Sequence, residues 1–389
     1  MFHSPVLLFL IDLSHLFDVQ RNFPAVRSRI RTMTPTINAE QLGSWMDLRG
    51  LTGAGTPIEQ RYISGGSQNE IYDIRRGDFR AALRIPPPTA PESRDAGIVR
   101  EWRIIEALDG TDVPHTAAVA MCDDASVLGR SFYLMGLVDG WSPMNMGRDD
   151  DEAKVGAPNR AWPAPFDTDL EARAGLAYQL AEGTALLSKV DWQAKGLQDL
   201  GRPDGFHERQ VDRWTAFLER IKGRELPGFD EAAAWLRAHR PIDYIPGIMH
   251  GDYQFANVMY KYGAPAQLAA IVDWEMGTVG DPKIDLAWVV QSWPADTSAP
   301  EAAESGYVNM QGMPSRDQML AHYSKVSGRQ VDDIDYYLVL AKWKLAVVLE
   351  QGFQRAGDDE KLNAFGPIVL DLMKGAADLA TTTDYSVSA

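Results

Sequence analysis

A single cysteine, Cys122, stands in 389 residues, so no disulfide can form within the chain and a reducing, cytoplasmic setting suits it. Long hydrophobic runs are missing too: none reaches the roughly 20 residues needed to span a bilayer. Positive charge is scarce. Thirty-eight Lys and Arg against 54 Asp and Glu leave a net charge of −16, the opposite of the basic footprint that nucleic acids select. Seven histidines show no zinc-type ligand spacing, which weakens a metal-dependent hydrolase. No internal repeat or low-complexity tract is present, so a solenoid is excluded. What remains, 45% hydrophobic and 24% charged, is an ordinary globular composition, long enough for two lobes and a substantial core. Residues 5–11 are apolar, but no Lys or Arg precedes them and Asp12 and His15 interrupt the pattern, unlike a secretory signal.

Against that background one segment stands out. Residues 250–257 read His-Gly-Asp-Tyr-Gln-Phe-Ala-Asn, and an apolar strand ending in Asp273-Trp274 follows shortly after. Phosphoryl transfer of the kinase type needs an aspartate at the acceptor hydroxyl and two further oxygen ligands for Mg²⁺. Asp252 is the candidate base, with His250 fixing its loop; Asn257 and Asp273 offer the hard oxygens Mg²⁺ prefers. The spacing matches the protein-kinase catalytic loop, with Gly251 in place of the arginine.

The order of elements agrees with a kinase. Residues 58–64, 70–74 and 79–85 pattern as strands, the last two joined by a hairpin at 75–78 and the third ended by Pro86-Pro87-Pro88. A helix is expected over 94–108 and a strand over 131–135. Beyond 166 the pattern turns helical, with helices expected around 170–185, 211–221 and 333–355, interrupted by short strands at 257–260 and 268–272. Residues 141–166, rich in Pro, Gly and Asp, read as a loop near the lobe junction.

The chain resembles the aminoglycoside phosphotransferase superfamily of small-molecule kinases. The resemblance rests on His250-Gly251-Asp252…Asn257, on Asp273-Trp274, and on Gly280-Asp281-Pro282-Lys283-Ile284-Asp285-Leu286-Ala287. It spans roughly residues 40 to 375. Softer segments resemble the branch also found fused to acyl-CoA dehydrogenases: Leu83-Arg84-Ile85-Pro86-Pro87-Pro88, the stretch from Gly201-Arg202-Pro203 to Arg213-Trp214, and Lys342-Trp343-Lys344-Leu345-Ala346. The resemblance implies an α+β, bilobal protein-kinase-like fold with a small β-rich N-lobe and a larger, mainly helical C-lobe. The expected division is an N-terminal extension over 1–39 (or a start placed too far upstream, with Met33 the true one), a nucleotide-binding lobe and hinge over 40–140, a helical lobe with catalytic loop and acceptor site over 141–380, and a tail over 381–389.

ATP and Mg²⁺ are the cofactors this implies. Gly65, Gly66, Ser67 and Asn69 occupy the place of a phosphate-covering loop, though glycine and serine between strands also make a plain hairpin turn. Arg84 stands where protein kinases carry a lysine; related small-molecule kinases also use arginine, and Glu101 is its expected partner. Residues 132–140 resemble the adenine hinge, with Met135 and Leu137 presenting backbone groups and Gly136 where many relatives carry an acid. The resemblance places an acid at Asp285 as support for the catalytic region, and a helix N-cap explains an aspartate there equally well; Glu275 reads as either near metal or facing solvent.

The expected partner is a small molecule offering a hydroxyl, with neither nucleic acid nor membrane involved. Two features disagree about it. The acidic run 149–152 suits a polyamine such as an aminoglycoside, or is simply solvated. Arg209 and Arg213, one helical turn apart near Trp214 and Arg220, suit an anionic acceptor such as a hydroxyacyl-CoA, or pair with neighbouring acids. A nucleotide-binding pseudokinase is the rival reading, supported only by the missing lysine.

Overall fold

The computed structural model describes residues 37–65, 69–144, 162–221, 223–294, 297–298 and 308–387. The expected extension up to residue 36, Met33 included, lies outside them. The N-terminal lobe is a five-stranded antiparallel sheet of β1 (Glu59–Gly65), β2 (Glu70–Arg76), β3 (Phe79–Ile85), β4 (Ala118–Cys122) and β5 (Phe132–Met135), ordered β1-β2-β3-β5-β4. Arg76 pairs with Phe79 across the expected hairpin. Strand β4 was not expected. Its Ala-Val-Ala-Met-Cys run lacks an alternating pattern, and only Cys122 within it is fully buried.

Side chains on β3 divide by the period of two. Ala81, Leu83 and Ile85 enter an outer core with Leu42, Trp45 and Met46. Those three lie on one face of a helix, Ala39–Leu48, which the sequence reading did not single out. The helix begins where the Asn38 side chain accepts the N–H of Gln41, and Trp45 packs edge-on against Phe132 with ring centroids 4.9 Å apart. Arg84 points to the other face, toward the helix Ser93–Leu108.

The C-terminal lobe surrounds the helix Ile334–Gln354, which is buried along most of its length. Helices Leu170–Ser188, Phe206–Ile221, Phe229–Ala238, Lys283–Val290, Arg316–Ser327 and Phe365–Thr382 pack with it into one apolar core. Two short antiparallel pairs sit at the lobe junction: β6 (Gly247–Met249) with β9 (Thr278–Gly280), and β7 (Val258–Tyr260) with β8 (Leu268–Ile271). Gly277 lets the lobes approach, because a Cβ there would lie 2.3 Å from Ile104 on the Ser93–Leu108 helix. The architecture is thus the expected bilobal α+β one. Among the described residues no helix is long and apolar enough to cross a membrane.

Candidate active site

Strand β6 delivers the chain into His250-Gly251-Asp252, and Gly251 makes the turn. Its φ is +85°, and a Cβ would meet the Met276 carbonyl at 2.6 Å, so a side chain fits neither the backbone nor the space. His250 is sealed from solvent. Its Nδ1 accepts the Asp252 N–H at 3.3 Å, which leaves Nε2 as the donor to the Val272 carbonyl at 2.8 Å. Burial pushes this imidazole below its ordinary range, so it is a neutral strut between two loops.

Of the two readings of Asp285, the N-cap one fails. Pro282 occupies that position, and Asp285 lies inside the first turn of Lys283–Val290. Its carboxylate leaves the helix and accepts the backbone N–H groups of His250 at 2.6 Å and Gly251 at 2.9 Å. Those two donors have no sheet partner, and a buried amide seeks an acceptor.

Asp252 is 8% exposed and receives three side-chain hydrogen bonds. Gln254 Nε2 and Trp288 Nε1 reach Oδ1 at 3.0 and 3.2 Å, and Asn257 Nδ2 reaches Oδ2 at 3.0 Å. Burial, with the nearby Asp273 charge, pushes its carboxyl up to about 7 against the shielding of those donors. Asn257 also donates to the Asp252 carbonyl at 2.7 Å, which turns its amide oxygen away from the base.

Asp273 ends the β8 segment at φ +66°, the one non-glycine residue with positive φ among those described. Its side chain is 36% exposed, and Oδ1 accepts from Arg84 Nη2 at 2.8 Å. Arg84 Nε lies 2.7 Å from Glu101 Oε2, so one guanidinium bridges the sheet, the helix and the Asp273 loop. Tyr133, the cross-strand neighbour of Arg84, donates to Glu101 at 3.0 Å, and Asn69 reaches the same carboxylate at 3.4 Å. Burial opposes the Arg84 charge, but Glu101, Tyr133, Asp273 and Glu275 outweigh it and hold its pKa far above the ordinary value. Among the described residues no three His, Cys, Asp or Glu side chains form a metal-binding group. The Asn257 amide oxygen and the second Asp273 oxygen nonetheless match what Mg²⁺ takes when nucleotide phosphates fill most of its shell.

The remaining expected residues divide. Gly65 closes β1 opposite Glu70, whereas Gly66, Ser67 and the acidic run 149–152 lie outside the described residues. Met135 ends β5, and Leu137 follows Gly136, whose N–H is bonded to the Ala117 carbonyl at 2.9 Å. A Cβ on Gly136 would press on the Ala117 methyl at 3.2 Å, a tight but not forbidden approach. Glu275 is half-buried within electrostatic reach of Arg84. Arg209 does not join Arg213: its guanidinium folds back onto the carbonyls of Arg202 and Asp204. Asp212, one of the neighbouring acids on that helix, pairs with Arg237 at 2.9 Å.

Trp288 and Gln254 were missed as partners of Asp252. A signal existed for Trp288, three residues after Asp285 and therefore on the same helical face as a carboxylate that grips the catalytic loop.

A family model described as "Phosphotransferase enzyme family" matches residues 59–319. Acyl-CoA dehydrogenase family member 10 of Mus musculus is 26% identical over 351 residues, covering 87% of this chain and 31% of that protein. Acyl-CoA dehydrogenase family member 11 of Gallus gallus is also 26% identical, covering 85% of this chain and 41% of that protein. The chain therefore spans a third to two-fifths of the length of these relatives. A solved structure from Ralstonia eutropha, described as a candidate aminoglycoside phosphotransferase, superposes with a TM-score of 0.73 at 25% identity, over 90% of this chain and all of that one.

Proposed function

We propose, from the premise that this chain belongs to the phosphotransferase enzyme family of small-molecule kinases, that it moves the γ-phosphoryl group of ATP to a small-molecule hydroxyl with Asp252 as base. The observation that carries this reading is the environment of Asp252. A carboxyl near 7, fixed by Asn257, Gln254 and Trp288, is matched to accepting a proton at neutral pH. One carboxylate oxygen takes the acceptor's proton as the acceptor oxygen bonds to the γ-phosphorus, and the bond to the β-phosphate oxygen breaks. His250 and Asp285 hold the loop that presents this base. Arg84, kept in place by Glu101, serves the α- and β-phosphates with two N–H donors where a lysine would offer one ammonium. Backbone groups around Met135 and Leu137 receive adenine, and the loop containing Gly65, Gly66, Ser67 and Asn69 covers the phosphates. Asn257 and Asp273 would hold Mg²⁺, whose contribution when bound would be to neutralise phosphate charge. The retained set of Asp252, Asn257 and Asp273 favours turnover over a pseudokinase.

Two acceptor classes stand against each other, aminoglycosides and hydroxyacyl-CoAs, the latter favoured by the names of the fused relatives. The test is acceptor-dependent ADP release from Mg-ATP, with wild type and Asp252→Asn compared over both classes. Release that depends on Asp252 with one class supports the reading and selects the acceptor. Nucleotide binding without release over the whole panel favours the pseudokinase.

A further inference from the structure

Within Lys342-Trp343-Lys344, two residues have obvious structural work. Lys342 Nζ donates to the Gln291 carbonyl at 2.6 Å. Trp343 stacks on Phe229 with centroids 5.0 Å apart and donates to its carbonyl at 3.2 Å. Lys344 is different. Its ammonium lies between two indoles, 5.2 Å from the ring centre of Trp214 and 5.1 Å from that of Trp288. Among the described residues it has no hydrogen-bond or ion-pair partner.

The location gives this weight. Trp288 is the indole whose N–H bonds Asp252 Oδ1 at 3.2 Å, so the ammonium sits on the ring that touches the proposed base. Arg213 extends the same positive surface, with its guanidinium 5.9 Å from the Trp214 ring centre. Arg100, bonded to the Gly277 carbonyl at 2.9 Å, lies within electrostatic reach of Arg213. Lys344 and Arg213 thus share the Trp214 ring, with Arg100 within reach of Arg213, and Lys344 is the cation that feels the Asp252 charge, in a chain whose net charge is −16. Burial disfavours the Lys344 charge and Arg213 adds to this, while Asp285 and Asp252 favour it; the ammonium is held down to about 8. Indole faces steady a cation without neutralising it, so the charge remains available to a ligand.

Resting on the phosphotransferase reading above, we propose that Lys344, with Arg213 and the faces of Trp214 and Trp288, forms an acceptor subsite for a negatively charged group, so that the phosphorylated hydroxyl belongs to an acidic molecule. A carboxylate a few bonds from the hydroxyl would reach the ammonium while the hydroxyl faces Asp252. A polycationic acceptor would meet the same charges as repulsion.

The experiment uses the full chain saturated with Mg-AMP-PNP, titrated calorimetrically with hydroxycarboxylates from glycolate to 6-hydroxyhexanoate and with their neutral primary amides. At least one acid is expected to bind about ten-fold or more tightly than its amide, as a charge-assisted contact provides. Lys344→Met, which keeps an unbranched chain between the indoles, should abolish that preference and leave AMP-PNP affinity unchanged; Lys344→Arg should retain it. No acid preference in wild type, or a preference that survives Lys344→Met, overturns the subsite. Failure of the parent reading looks different: either Mg-AMP-PNP itself would not bind, or acids would bind to the nucleotide-loaded chain with no ADP released from Mg-ATP, as in a pseudokinase.

Discussion

Asp285 Oδ2 accepts the backbone N–H of His250 at 2.6 Å, across 35 residues of chain. With the second bond to Gly251, it anchors the turn that carries Asp252 to the first turn of a core helix. Asp285→Asn would turn one oxygen into an N–H₂ group facing an N–H. Leaving a buried donor unsatisfied costs about 1–3 kcal/mol. The expected outcome is an unfolding free energy lowered by that amount, read as a lower urea midpoint at unchanged slope, together with a fall in kcat, because the base is no longer held in register. An unchanged midpoint would mean the loop stands without this anchor.

The elevated Asp252 carboxyl makes two pH predictions. A base must be ionised, so kcat/KM should fall about ten-fold per pH unit on the acid side of a limb near 7. Trp288→Phe removes a donor that favours the ionised form, and should move that limb to higher pH. Stability runs the other way. The folded value lies above the ordinary 3.8, so the folded state binds this proton more tightly. The resulting stability is complete below about pH 4 and is lost as pH rises through about 7. Asp252→Asn, which has no proton to lose, should therefore gain stability relative to wild type between pH 4 and pH 8, while kcat drops by about 10²–10⁴-fold. A constant difference in thermal midpoint over that range would count against the elevated carboxyl.

Arg84 touches Glu101 at 2.7 Å and Asp273 at 2.8 Å through different nitrogens. Lysine cannot span both, since its single ammonium is a point charge rather than a fork. Arg84→Lys is expected to keep the fold but raise KM for ATP several-fold. Arg84→Ala should do more harm, because it strands the buried Glu101 charge at a cost of about 3–5 kcal/mol. Equal nucleotide affinity in wild type and Arg84→Lys would show that the fork has no part in binding.

The contrast between Asp252 and Asp285 shows where sequence stops being informative. Asp252 was legible because His, Gly, Asp and Asn fall within eight residues and each has a chemical reason to be there. β3 was equally legible, since the hairpin at 75–78 and the three prolines bound it on both sides. For Asp285 the catalytic-support and N-cap readings stood level, because a carboxylate early in a helix is normally explained by that helix alone; its partners are 34 and 35 residues earlier. Lys344 poses the same difficulty over a longer span. Its indole neighbours lie on two other helices, and no local pattern announces that a lysine of a buried helix will end beside Asp252. Strand β4 escaped for a different reason: small residues at a sheet edge carry almost no periodic signal.

Asp273 separates a backbone requirement from a charge requirement. Its φ of +66° belongs to the left-handed region, which Asn and Asp tolerate and Ala resists by about 1–2 kcal/mol. Its carboxylate, meanwhile, faces Arg84 and is proposed to hold Mg²⁺. Asp273→Asn keeps the conformation and removes the charge. It should fold with nearly wild-type stability, yet need markedly more Mg²⁺ to reach half-maximal nucleotide binding. Asp273→Ala should lose both, adding a measurable drop in thermal midpoint. Asp273→Gly restores the backbone freedom without restoring the ligand, so it should recover part of the stability and none of the metal dependence. If Asp273→Asn bound Mg-ATP with an unchanged Mg²⁺ requirement, the residue would be a turn former held by Arg84, and the metal would have to be assigned elsewhere.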